Sequence, residues 1–372
     1  MRVLVVNAGS SSLKLAVVDD GAVASASTVE RWDGEGNHEP IEAFVSTVGD
    51  VDAVGHRVVH GGPRYAGPAL VDDDLLDYLA SIEDLAPLHN PRAVAAMREV
   101  ARAVDRPAVA CFDTSFHADL PEAARTYALP RQWNERWSLR RYGFHGLSHA
   151  YAVRRAARVV GQWVGDLRVV SCHLGSGASL CAVVNGRSVD TTMGFTPLEG
   201  LVMGTRAGSI DPGLVLWLLQ HGGVALDDLA TTLEQGAGLK GLCGSGDLRD
   251  VLERRGSDPD AALAYDVFVH RLRREIGAMC ASAGGLDVLV MTGGIGEHAP
   301  TVRADTVAAL GHLGLALDPG LNDAARGDVD VSTPDAPART VVVAASEESE
   351  IARQTAAVLQ APDAGASAGR TP

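Results

Sequence analysis

Two stretches of this chain, VLVVNAGSSSLKLAVVDDG at 3–21 and VVSCHLGSGASLCAVVNG at 169–186, align without a gap at an offset of 166 residues. Val3, Gly9, Ser10, Ala16, Val17 and Val18 meet Val169, Gly175, Ser176, Ala182, Val183 and Val184. Each copy reads as a strand, a Gly/Ser turn and a second strand, followed by Asp-Asp-Gly or Asn-Gly. A surface hairpin needs only two turn residues, whereas the first copy spends six, Asn7 to Ser12, and places Lys14 just beyond them. Small residues let backbone N–H groups and serine hydroxyls close on a phosphate. A plain hairpin loop accounts for either copy taken alone. Two copies in 372 residues predict a duplicated fold with a ligand clamped between the halves.

Charge and composition narrow the ligand. A net charge of −15 without a basic stripe argues against nucleic acid. Val3–Val6 is too short for a signal-peptide core, and no apolar run reaches the roughly 18 residues of a membrane span. Cys111, Cys172, Cys181, Cys243 and Cys280 form no CxxC pair, which suits reduced thiols and a cytoplasmic location. The chain has two lysines, Lys14 and Lys240, against thirty arginines. A solvated strand residue is the ordinary reading of Lys14. In a chain that writes its cations as arginine, a compact ammonium beside a Gly/Ser turn also suits a phosphate oxygen.

A third glycine cluster, VLVMTGGIGEHAP at 288–300, follows a buried-type strand. Gly294 to Ala299 satisfies GxGxx[GA] and Asp318 lies about 20 residues on, so a nicotinamide site competes here with a glycine-lined contact to an adenosine. Elsewhere the pattern predicts a strand over Ala53–Val59, helices over 72–86, 91–104, 148–161 and 258–283, and a strand delivering Asp113. GLCGSGDLRD reads as a loop, Ser346 as the cap of a last helix, and APDAGASAGRTP as a disordered tail. Alternating strands and helices give an α/β chain.

The remaining polar residues sit at strand ends and glycine turns. Asp113 can hold Mg²⁺, orient a nucleophile or cap the next turn. Arg57 closes a strand beside His56 and His60, and Arg206 lies in MGTRAGS between small residues that let it reach a planar anion. His145 stands in YGFHG, where a core histidine is the alternative. No zinc-type Cys/His set appears, and no credible Ser-His-Asp arrangement is visible. Gly-rich turns, a lysine, loop arginines, a histidine and strand-end carboxylates suit phosphoryl transfer, in which cations and Mg²⁺ clamp a charge spread over equatorial oxygens.

NAGSSSLKLAV, GHRVVHGG, LAPLHNP, FDTSFH, YGFHGLSH, CHLGSGAS, TMGFTPLEGLVMGTRAGSIDP and GGIGE, in this order and across nearly the whole chain, resemble the acetate kinase family. Propionate kinases are close relatives that share these motifs. The resemblance implies the sugar-kinase/actin/heat-shock ATPase fold: two duplicated α/β, ribonuclease H-like domains with a ββBαβαβα core and an interdomain active-site cleft. It implies an N-terminal domain of 1–115 plus the returning helix of 350–372, and a nucleotide-binding, dimerising domain of 116–349. The implied reaction is reversible in-line transfer of the γ-phosphoryl group of ATP to the carboxylate of acetate, giving acetyl phosphate and ADP, with Mg²⁺ or Mn²⁺, in a cytoplasmic homodimer. A propionate kinase, a nicotinamide-dependent oxidoreductase and an actin-like scaffold are the alternatives.

By the same resemblance Asp113, His145, Arg206 and Arg57 are catalytic, and Asn7 and Glu347 associate with the metal. Arg57 also holds the acyl carboxylate, beside a methyl pocket of Val59, Leu88, Phe144 and Pro197. ATP falls to Lys14, to His173, Leu174, Gly175, Ser176 and Gly177, to Asp247, Leu248 and Arg249, and to Gly294, Ile295, Gly296, Glu297 and His298. Ser176 and His298 replace the family's usual asparagines, and ASEES replaces TNEE around Glu347.

Overall fold

The structure, a computed structural model, describes residues 1–9, 12–32, 34 and 38–361. Ser10 and Ser11 of the first turn, and 362–372 of the expected tail, lie outside the described residues. The chain divides into two compact units, Met1–Ser115 with the segment from Ser346, and Phe116–Ala345.

The first unit carries β1 (Arg2–Ala8), β2 (Ser12–Asp19), β3 (Ala22–Glu30), β4 (Ala53–Val58), β5 (Ala69–Leu70) and β6 (Ala108–Phe112), in the sheet order β3-β2-β1-β4-β6-β5. The second carries β7 (Arg168–Leu174), β8 (Ala178–Val184), β9 (Arg187–Thr191), β10 (Val288–Thr292), β11 (Val329–Asp330) and β12 (Arg339–Val342), in the order β11-β12-β10-β7-β8-β9. Read from opposite ends, the two orders are one plan. An antiparallel three-stranded meander is followed by two strands parallel to its first, then by a short antiparallel edge. This is the duplicated actin-like architecture.

Alternation along the strands builds the layers. Leu4, Val6 and Ala8 of β1 and Leu13, Leu15 and Val17 of β2 face one core, closed by Ile41 and Phe44 of the helix Glu39–Val48 and by Ala96 and Val100 of the helix Asn90–Ala103. Ser346 caps the last helix, Glu347–Gln360, as its sequence predicts, its hydroxyl accepting from the Ser349 N–H. This helix lies hard against β4. A Cβ built on Gly55 would come within 2.5 Å of Thr355 Oγ1 and 2.6 Å of Ile351 Cγ2, so only glycine permits the approach.

The two hairpins differ from the gap-free alignment by one residue. Ala8 pairs with Leu13, but Leu174 pairs with Ala178, so the second turn is one residue shorter. Across the sheet Asn7 faces Lys14, and His173 faces Ser179. Ala16 therefore has Cys181 as its counterpart, not Ala182. The β-bulges agree, falling between Val17 and Val18 in one unit and between Ala182 and Val183 in the other. The six-residue turn also shrinks, because Asn7 and Ala8 continue β1 and Ser12 opens β2.

Other sequence expectations are corrected locally. β3 reads ASAST in its centre, small and polar, because its residues are exposed or only partly buried at the sheet edge. The helix expected over 72–86 stops at Ser81 and resumes as a single 3₁₀ turn, Glu83–Leu85. GLCGSGDLRD is mostly helical, with Gly238–Cys243 and Leu248–Arg254 flanking a short connection. The nicotinamide alternative fails on topology, since β10 belongs to a mixed sheet with an antiparallel meander. Asp318 caps the helix Pro319–Ala324 through the Leu321 N–H, a role that leaves its match to the fingerprint accidental.

Candidate active site

In the first unit the carboxyl ends of three neighbouring strands converge on one guanidinium. Arg57 leaves β4 beside Asn7 of β1 and Asp113, which follows β6. Arg57 donates from Nη2 to Asp113 Oδ2 at 2.6 Å, from Nε to Asp113 Oδ1 at 3.2 Å, and from Nη1 to Asn7 Oδ1 at 3.2 Å. Glu347, the first residue of the last helix, places Oε2 3.6 Å from Nε. Burial opposes the charge of Arg57, but Asp113 and then Glu347 outweigh it and hold the guanidinium more firmly protonated than usual. Burial also pushes Asp113 up to about 6 against the pull of Arg57, and the like charge of Glu347 adds to the rise.

The loop after β4 is braced by residues that sequence reading leaves without a role. Asn90 Nδ2 donates to the His60 carbonyl, and the His60 N–H donates back to Asn90 Oδ1. GHRVVHGG and LHNP are thus tied together at the turn that carries Val59. Val59 is buried and Leu88 half exposed, both in the first unit, while Phe144 and Pro197 belong to the second. Lys14 is exposed on β2, opposite Asn7.

In the second unit the glycine turn Gly175–Gly177 borders a cavity of about 760 Å³. Asp247, Leu248 and Arg249 line it from a helix start, and Gly294, Ile295 and His298 from the helix Gly293–His298. All three sequence segments expected to hold a nucleotide therefore reach one chamber, within the size range of small-ligand sites. Leu252 and Phe268 add an apolar wall that no motif announces. Other members of those segments are used otherwise. Leu174 is buried, the Gly296 and Glu297 carbonyls accept from Arg303, and the Glu297 carboxylate accepts from the Ala345 N–H. His173 lies against His145, with ring centroids 4.4 Å apart.

Arg206 also lines the chamber. It donates weakly to the Pro197 carbonyl at 3.4 Å and has no carboxylate within ion-pair distance among the described residues. Burial lowers its pKa from the ordinary value, with Glu234 offsetting this only in part. His145 sits in the left-handed region (φ 56°) at the start of the helix Gly146–Val159. Gly143 precedes it at φ 72°, where a Cβ would strike the His117 ring. A Cβ on Gly177 would lie 3.5 Å from His145 Nε2 and 3.8 Å from Arg206 Nη1, so both groups face the glycine turn.

The Arg206 loop is held by a brace the motifs do not reveal. Arg141 Nη2 donates to Glu199 Oε1 at 2.7 Å, the Tyr127 hydroxyl donates to Glu199 Oε2 at 2.8 Å, and the Phe195 N–H donates to Tyr127. A half-buried guanidinium beside an imidazole and a glycine turn has the chemistry to receive an anion.

Among the described residues no three His, Cys, Asp or Glu side chains gather as a metal cluster, and no helix is long and apolar enough to cross a membrane. Asn7 and Glu347 offer hard oxygens, which suits Mg²⁺, an ion that takes few protein ligands and completes its shell with phosphate and water.

The acetokinase family model matches residues 39–353. An acetate kinase of Trichormus variabilis is 41% identical, over 95% of this chain and 98% of its own length. The crystal structure of Porphyromonas gingivalis acetate kinase superposes with a TM-score of 0.90 at 32% identity, covering 96% of this chain and all of that one. A propionate kinase from Francisella tularensis gives 0.87 at 32% identity, over 96% and 99%.

Proposed function

This chain belongs to the acetokinase family, and on that premise we propose that it transfers the γ-phosphoryl group of ATP reversibly to acetate, giving acetyl phosphate and ADP. The observation that carries this reading is Arg206, a half-buried cation without a carboxylate partner among the described residues, facing the same glycine turn as His145. Transfer of a phosphoryl group asks for fixed positive charge and N–H donors where the equatorial oxygens gather charge. Arg206 and His145 supply those donors. The chamber lined by Gly175–Gly177, Asp247–Arg249 and Gly294 takes the nucleotide, with Leu252 and Phe268 against the base.

The first unit serves the acceptor. Arg57 is the cation for the acyl carboxylate, and Asp113 fixes its orientation through two hydrogen bonds. Val59 and Leu88 border the methyl group from this unit, and Lys14 serves a phosphate oxygen. Asn7 and Glu347 would hold Mg²⁺ or Mn²⁺, which supplies charge neutralisation at the phosphates when bound.

We also read the chain as a cytoplasmic homodimer. The helix Pro212–Gln220 supports the dimer, being apolar on every side and unburied, with Leu216 and Trp217 more than half exposed. All five cysteines are free and buried, which accords with a reducing compartment.

The test is incubation with ATP, Mg²⁺ and acetate, followed by hydroxylamine trapping. Acyl hydroxamate with stoichiometric ADP is expected; ADP without hydroxamate sinks the kinase reading. Parallel assays with propionate decide between the two acyl acceptors.

A further inference from the structure

A chain of hydrogen bonds runs behind His145 that none of the roles above uses. His145 Nδ1 lies 2.9 Å from Ser179 Oγ, and the same oxygen lies 2.8 Å from His149 Nε2. His149 Nδ1 in turn lies 2.9 Å from Ser171 Oγ. Ser171 and Ser179 face each other's neighbours on β7 and β8, and His149 hangs over them one helical turn after His145. Ser171, Ser179 and His149 are all fully buried.

Burial, aided by the neighbouring His117 and His173, drives the His149 pKa well below its ordinary value, so the ring is neutral and carries one proton. Ser179 likewise has one hydroxyl proton. With His145 also in its neutral form, the row can run in only two senses. In one, Ser171 donates to His149 Nδ1, His149 Nε2–H donates to Ser179, and Ser179 donates to His145 Nδ1. The His145 proton is then on Nε2, at the edge that faces Gly177, the glycine that Arg206 Nη1 also borders. In the other, every bond reverses and Nε2 is left as a bare acceptor, which repels an anion.

We propose that Ser179 is a positioning residue: clamped between His149 and His145, its hydroxyl keeps the His145 proton on Nε2, where it is donated to an oxygen of the transferring phosphoryl group. The tautomer of a histidine is set by the bond its other nitrogen makes. A phosphoryl oxygen beside Arg206 selects the donating sense, and aligned bonds then reinforce one another. The neighbouring groups do not replace this device. The His173 ring lies tilted against His145 and its Nδ1 is engaged with Ser148 Oγ, while Arg206 Nη1 borders Gly177 and not the Nδ1 edge that Ser179 holds. The inference rests on the proposed role of His145 in phosphoryl transfer.

The test pairs kinetics with ¹⁵N NMR of ring nitrogens in histidine-labelled protein carrying ADP, Mg²⁺, acetate and aluminium fluoride. Wild type should show His145 protonated on Nε2. Ser179→Ala should mix the tautomers and lower kcat about 10–100-fold while KM for ATP stays within about twofold. Ser179→Thr, which keeps the hydroxyl, should restore most of the rate. A wild-type His145 protonated on Nδ1 overturns the proposal without any variant, as does Ser179→Ala with unchanged kcat and tautomer. If His145→Ala keeps full activity while the tautomer is set as described, the role assigned to His145 falls and the relay stands.

Discussion

The two units repeat one sheet and use its strand ends in opposite ways. At the end of β1 and β4, Arg57 has Asp113 bidentate on it and Asn7 and Glu347 close by. In the second unit Arg206 has no acid partner among the described residues, and the place held by Asn7 and Lys14 is taken by His173 and Ser179. Duplication therefore preserves strand pairing and bulge position, which the backbone requires, while side chains at the carboxyl ends diverge freely. One unit pairs its cation with carboxylates, and the other leaves its cation without one among the described residues.

That contrast predicts opposite stability effects. Asp113→Ala leaves Arg57 buried without its bidentate partner, and breaking such a pair costs about 3–5 kcal/mol. Urea unfolding should show a loss of that order together with abolished hydroxamate formation. An unchanged unfolding midpoint would mean that Glu347 and Asn7 suffice to hold Arg57. Arg206→Ala should behave in the reverse manner, leaving stability intact while kcat falls about 10²-fold or more with a smaller change in KM for ATP. A raised KM at constant kcat would reduce Arg206 to a binding residue.

Protonation of Asp113 gives the next largest effect. With its carboxyl pushed up to about 6, kcat/KM for acetate should fall roughly tenfold per pH unit below that value. Burial raises this group above its unfolded value, so its own contribution to stability grows as pH drops from about 6 towards 4. The acid limb should accordingly appear while circular dichroism still reports folded protein. A profile flat down to pH 5 would remove Asp113 from the free-enzyme titration.

Lys14→Arg keeps the charge but brings a planar fork to a site read as built for an ammonium, and kcat/KM for ATP should drop about tenfold. Near-normal activity would return Lys14 to the solvated edge of β2. The smallest effect concerns acyl size. Val59→Ala should shift the propionate-to-acetate ratio of kcat/KM upwards by the equivalent of about 1–3 kcal/mol, the worth of one methylene in an apolar pocket. Ratios that do not move would place Val59 outside the acyl site.

The sequence by itself determined the duplication, the strand that ends at Asp113, the cap at Ser346 and the three glycine-bearing segments, because periodicity, turn chemistry and capping are local properties of the chain. It could not supply the one-residue shift between β2 and β8, since a gap-free alignment scores the same whether or not a turn is shorter by one. Nor could it reveal the edge strand β3, whose exposed, small side chains carry no apolar period. The braces of Asn90 on His60 and of Arg141 on Glu199, and the bond from Ser179 to both His145 and His149, join residues 30 to 58 positions apart. Each of those side chains reads in sequence as an ordinary polar residue. Only tertiary packing, by removing water and forcing every buried polar group to find a partner, decided which of them meet.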